Sequence, residues 1–102
     1  MMNEREVLKL AAKAAGYWDK ELKCYTGFDP LIDDGDALRL VVSLGMTLYV
    51  DSECSDVCAK VHLKDGRTKT ACVLDKEFTK DPYAATRRAI VRAAAEIGKG
   101  MK

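Results

Sequence analysis

The chain has 102 residues, the length of one domain, and its 17 basic and 16 acidic side chains leave a formal charge of +1. That balance argues against a strongly electropositive nucleic-acid binder, and 48% hydrophobic residues argue against disorder. No apolar run approaches the roughly 18 residues of a membrane span, and the charged start MMNEREVLKLAAKAAG lacks a signal peptide's cleavage end, so a cytoplasmic location is expected.

Asn3 and Glu6 stand at capping-box spacing and predict a helix over 4–15, closed by Gly16. Val7, Leu8, Ala11, Ala14 and Ala15 recur every three or four residues, opposite Lys9 and Lys13. This small apolar face can approach a neighbour closely, and Tyr17 and Trp18 supply the aromatic area it lacks. The segment DKELKCYTGFDPLIDDG has no clear period and reads as an irregular crossover, with a short strand over 22–26 as the alternative. A second helix is expected over 36–44, with Ala37, Leu38, Val41 and Leu44 as its buried seam and Gly45 as its C-cap.

A strand follows over 47–50. In the next, Val57, Ala59, Val61 and Leu63 alternate with Cys58, Lys60, His62 and Lys64. Asp65–Gly66 predicts a two-residue type I′ hairpin flanked by Lys64 and Arg67. The partner strand spans 68–74, and either Ala71 and Val73 or Cys72 and Leu74 face the core. Asp81 and Pro82 open a last helix over 82–97, with Tyr83, Ile90, Val91, Ala94 and Ile97 as its seam. Gly98 would end it, leaving 98–102 as a frayed tail. The expected fold is α+β: one domain over 1–102, a small sandwich built on a mostly antiparallel sheet of three to four strands, with helices at 4–15, 36–44 and 82–97.

The four cysteines, Cys24, Cys54, Cys58 and Cys72, read as reduced thiols packed as small apolar groups, because no secretory signal accompanies them. Asp29, Asp33, Asp34 and Asp36 crowd the approach to the second helix. Pro30 holds Asp29 extended, Asp33–Gly35 has turn chemistry, and Asp34 or Asp36 can cap the helix. A calcium loop would need ligands spread over about twelve residues and a closing glutamate, which ALRLVV does not supply. His62 shares a strand face with Cys58, but four residues along a strand is about 13 Å, too far for one ion. No phosphate loop, dinucleotide fingerprint or hydrolase motif occurs, so neither a cofactor nor catalysis is expected.

Two basic features remain. Arg87 lies only about 40° from Tyr83 on the helical wheel, inside the apolar sector. It can pair with an acid from the second helix's approach, or it can join Arg88, Tyr83 and Tyr25 in holding a phosphorylated ligand or nucleotide. Lys60, Lys64, Arg67 and Lys69 make the hairpin basic and are the candidates for a nucleic-acid backbone, although the ribbon lacks interleaved aromatics for base stacking.

The blocks GFDPLIDDGDALRLVVSLG (27–45) and ATRRAIVRAAAEIGK (85–99) resemble the phage ABA-sandwich domain, a family of small phage and prophage proteins. Phe28, Pro30 and Asp33 or Asp34 match its first motif, with Phe28 where the family has tryptophan. Ala89 to Ala94 match the second, with Val91 in place of a cysteine. The resemblance implies an α-β-α sandwich and a protein at work inside a bacterial host; it carries over no catalytic residue. The expectation is a non-enzymatic accessory protein that binds a host or phage macromolecule, a protein rather than nucleic acid or membrane. A homodimer stays open, because the alanine-rich faces of the first and last helices could serve a dimer as easily as a monomer core.

Overall fold

A computed structural model describes residues 3–17, 28–51, 56–63, 65–74 and 80–100. Helix α1 spans Glu4–Ala15 and α2 Asp34–Leu44; strands β1 Thr47–Asp51, β2 Asp56–His62 and β3 Thr68–Leu74 follow, and α3 spans Pro82–Lys99. The candidate strand at 22–26 and Trp18 lie outside the described residues.

Local chemistry sets most of these boundaries. Asn3 Oδ1 accepts from Glu6 N–H at 2.9 Å, and Asp81 Oδ1 accepts from Ala84 N–H at 3.1 Å ahead of Pro82. Gly16 and Gly45 close α1 and α2 at φ +83° and +62°, where a side chain would be strained. Helix α3 runs past the expected stop at Gly98 and is capped at Gly100. Gly98 is a packing residue, buried against the backbone of Leu10, where a Cβ would collide with the Leu10 carbonyl.

The sheet is antiparallel in the order β1-β2-β3. Leu63 N–H donates to the Arg67 carbonyl at 2.8 Å, so the hairpin loop holds three residues, with Gly66 at φ +91°. This corrects the two-residue turn and shifts the register by one. Val57 then faces Val73 and Ala59 faces Ala71 on the inner side, while Cys58 faces Cys72 on the outer side. The core face of β3 is therefore Ala71 and Val73.

Together these elements form a small α+β sandwich. Its layers run sheet, α3, then α1 beside α2, so the described helices all lie on one side of the sheet rather than on both. Two apolar faces of α3 make this order possible. Ala85, Ala89 and Ala93 pack on Val57, Ala59, Val61 and Val73, while Ile90, Val91 and Ala94 pack on Ala11, Ala12, Ala37 and Leu40. Alanines permit the close approach, and each core Val or Leu contributes about 1.5–3 kcal/mol of burial. The alanine faces proposed for a dimer are thus occupied within the chain.

Three seam assignments change. Leu38 points to solvent and Leu40 takes its place in the core, because α2 is apolar on several sides and the position of α3 selects the inward one. Tyr83 is exposed in the first turn of α3. Leu63 continues the alternation only as a half-buried residue beyond the end of β2.

Candidate functional site

The acidic approach to α2 is a cap and a turn. Asp33, not Asp34 or Asp36, is the N-cap: its Oδ1 accepts from Asp36 N–H at 3.1 Å. Asp36 is buried and turns Oδ2 back to Asp29 N–H at 2.8 Å, while its Oδ1 lies 3.6 Å from the Arg39 guanidinium. The Asp29 carbonyl accepts from Ile32 and Asp33 N–H at 3.1 and 2.8 Å. Pro30 is buried beneath this turn, and Phe28 stacks on Tyr17 with ring centroids 4.6 Å apart. Among the described residues, no three Asp, Glu, His or Cys side chains gather where they could hold a metal ion.

Arg87 pairs with the α2 approach, the structural alternative of the two. Its Nε donates to the Leu31 carbonyl at 2.8 Å and its Nη1 to Asp34 Oδ1 at 2.6 Å. The Arg87 side chain is only 17% exposed whereas Asp34 is 73% exposed, so the carbonyl bond is the sheltered part and water screens the ion pair. A phosphate at Arg87 would have to displace Asp34. Arg88 is half-buried and already engaged, and Tyr25 lies outside the described residues.

The basic hairpin does not present one face. Lys60 sits opposite Thr70 on the outer side of the sheet, whereas Lys69 sits opposite Val61 on the inner side. Arg67 turns its Nε to Asp65 Oδ2 at 2.6 Å, and Asp65 Oδ1 accepts the Arg67 N–H at 3.0 Å. These bonds, the backbone one first, hold the Asp65 carboxyl below its ordinary range. Lys64 lies outside the described residues.

Cys58 and Cys72 form a disulfide across the β2–β3 ladder, with Cα atoms 4.1 Å apart. This corrects the reading of these two as free thiols: the three-residue loop places them directly opposite each other. Cys24 and Cys54 lie outside the described residues.

The feature that sequence reasoning missed is apolar. An open groove of about 560 Å³ runs between α2, β1 and the start of α3, walled by Leu38, Val41, Leu48, Val50 and Tyr83 beside the Asp34–Arg87 pair. On the far side of Leu38, a second depression of about 390 Å³ is lined by Tyr17, Val42 and the stem of Arg39. Leu38 and Val42 are 61% and 74% exposed and stand one helical turn apart as a ridge, with Leu38 lining both hollows and Val42 the second. The sequence signal was the second apolar stripe of α2, Leu38 and Val42, offset from Ala37, Val41 and Leu44. No helix among the described residues is long and apolar enough to cross a membrane. Comparison with protein-family models, with curated proteins and with solved structures finds no match.

Proposed function

We propose that this chain is a non-enzymatic binding protein whose ridge on α2 docks against a protein partner. In the setting implied by the phage ABA-sandwich resemblance, the chain is a phage or prophage accessory protein and the partner a host or phage protein. One observation carries the reading: the exposed, contiguous apolar surface of Leu38 and Val42 with Tyr17 alongside. Isolated exposed leucines are ordinary, but a contiguous patch of large apolar side chains beside a hollow is the kind of surface that partners bind. Its rim carries Arg39 and Ser43, the polar border that a partner-binding patch needs.

The test compares wild type with a Leu38→Ser/Val42→Ser double variant, each immobilised and exposed to lysate of a phage-infected bacterium. The expected result is a protein retained by wild type and lost by the variant. That protein, purified, should then bind wild type in a calorimeter with a negative heat-capacity change, the mark of apolar burial. Equal capture by both chains, with both equally folded, would remove the ridge from the reading.

A further inference from the structure

Strand β1, TLYVD, is an edge strand, with no strand paired to its outer side among the described residues. The bond from Leu63 to Arg67 fixes which pairs of the β2–β3 ladder exchange hydrogen bonds, and the alternation carries through to β1. Cys58 turns its backbone groups to Tyr49. The N–H and C=O of Leu48 and Val50 therefore point out from the free edge. Their side chains share the inner side with Ala59 and Val57 and wall the groove, while Tyr49, 69% exposed, stands on the outer side.

Edge strands are ordinarily protected by lysine, proline or a bulge. The opposite edge, β3, carries Lys69; β1 has neither lysine nor proline, and its one charge, Asp51, is at its end. We infer that β1 pairs with β1 of a second copy of this chain, antiparallel about a two-fold axis at Tyr49, giving a six-stranded sheet. This register pairs all five residues. Leu48 exchanges both backbone hydrogen bonds with Val50 of the second copy, twice over, and Tyr49 meets its own counterpart in a close, non-hydrogen-bonded pair. Asp51 falls opposite Thr47, so no like charges meet. Centring on Leu48 or Val50 would leave part of each strand unpaired.

The surface is large enough. Leu48, Tyr49 and Val50 with Leu38 and Tyr83 across the groove expose roughly 600 Å² per copy in all, near the low end of what each partner contributes to the smaller specific interfaces. The axis makes the contact isologous, so it closes at two copies and forms no filament. This inference rests on the strand edge and the Proposed function on the α2 ridge; Leu38 borders both surfaces, and variants at Tyr49 and Val50 leave it intact, so they test the edge separately.

Sedimentation equilibrium from about 1 to 100 µM is the test, with Kd read by the usual relation. Wild type should sediment at twice the 11.3 kDa of the chain. Val50→Pro removes an outward N–H and leaves the β1–β2 hydrogen bonds in place, so it should weaken dimerisation at least tenfold. Tyr49→Lys sets like charges across the axis at an exposed position where folding is not at risk, and should do the same. A wild-type monomer at 100 µM overturns the inference, as would a dimer that both folded variants leave unchanged. A monomer that instead takes up an extended peptide along β1 would assign the edge to a different occupant and equally overturn it.

Discussion

Gly98→Ala separates packing from propensity. In an isolated helix the change would stabilise by about 0.8–1 kcal/mol, since glycine is among the poorest helix formers. Here the new Cβ would fall 2.6 Å from the Leu10 carbonyl carbon and 2.9 Å from its Cα, closer still to the oxygen, and all three atoms are backbone. Van der Waals contact needs about 3.4 Å or more, so α1 and α3 must separate by about an ångström. A gap of that size forfeits a quarter to a half of each dispersion contact it opens. The contacts at stake are those of Ala11 and Ala12 with Val91 and Ala94. Overpacking of this kind costs about 1–3 kcal/mol, and rigid backbone places it at the upper end, so the net loss should be about 2 kcal/mol. For a chain of this size that is a fall in Tm of roughly 8–16 °C. Urea unfolding followed by circular dichroism measures it, as a lower midpoint at unchanged slope. Gly100→Ala is the control: φ is −84° and its Cβ would meet only the Ile97 carbonyl oxygen, at an ordinary 3.6 Å. Equal or greater stability of Gly98→Ala would refute the close approach of α1 and α3.

Three further outcomes follow from the site. Arg87→Met should cost about 1–3 kcal/mol through the orphaned Leu31 carbonyl, whereas Asp34→Asn should cost less than about 1 kcal/mol; paired denaturation curves showing the reverse order would mean that the ion pair dominates. Opening the Cys58–Cys72 bridge, 14 residues apart in sequence, with a thiol reductant should lower stability by about 3 kcal/mol; an unchanged urea midpoint in protein shown by mass to be reduced would contradict this. Asp65, with its folded pKa below the ordinary 3.8, should add to hairpin stability above about pH 3.8 and lose that contribution as pH falls through the lower folded value. A carboxyl NMR titration with its midpoint at or above 3.8 would remove the Arg67 contacts as its cause.

What was legible in the sequence was what neighbours in sequence decide. Asn3, Gly16, Gly45 and the Asp81–Pro82 pair name their own roles, because a cap needs only a side chain within three residues or a tolerated φ. The acidic turn was legible in kind but not in detail. Choosing Asp33 as the cap required knowing that Asp36 is drawn back to Asp29 and Asp34 outward to Arg87, a contact across 53 residues. One error propagated. A two-residue turn at Asp65–Gly66 would set Cys58 against Val73, so it hid the disulfide and left the core face of β3 undecided. Leu38 and Gly98 were misread for a shared reason: which face of a helix apolar on several sides is buried, and whether a glycine ends or packs a helix, are settled by the neighbouring element.

The distribution of apolar size links stability to binding. Among the described residues, more than half of the buried apolar ones are alanines, while Ile32, Leu38, Val42, Leu48, Tyr49, Val50 and Tyr83 stand exposed. An alanine loses no side-chain entropy on burial but contributes little area, so this core holds three layers close together with a modest driving force. The bulky exposed side chains, worth at most about 1.5–3 kcal/mol each on full burial, gain from being covered by a partner. Whatever binds the folded chain therefore adds to its stability by mass action, about 2.7 kcal/mol at a hundredfold excess over Kd. Against a domain stability of order 5–15 kcal/mol, that makes the melting temperature itself a readout of occupancy. The surfaces then separate by experiment. Covering of the β1 edge by a second copy raises Tm with protein concentration alone, and covering of the α2 ridge raises it only when the partner is present.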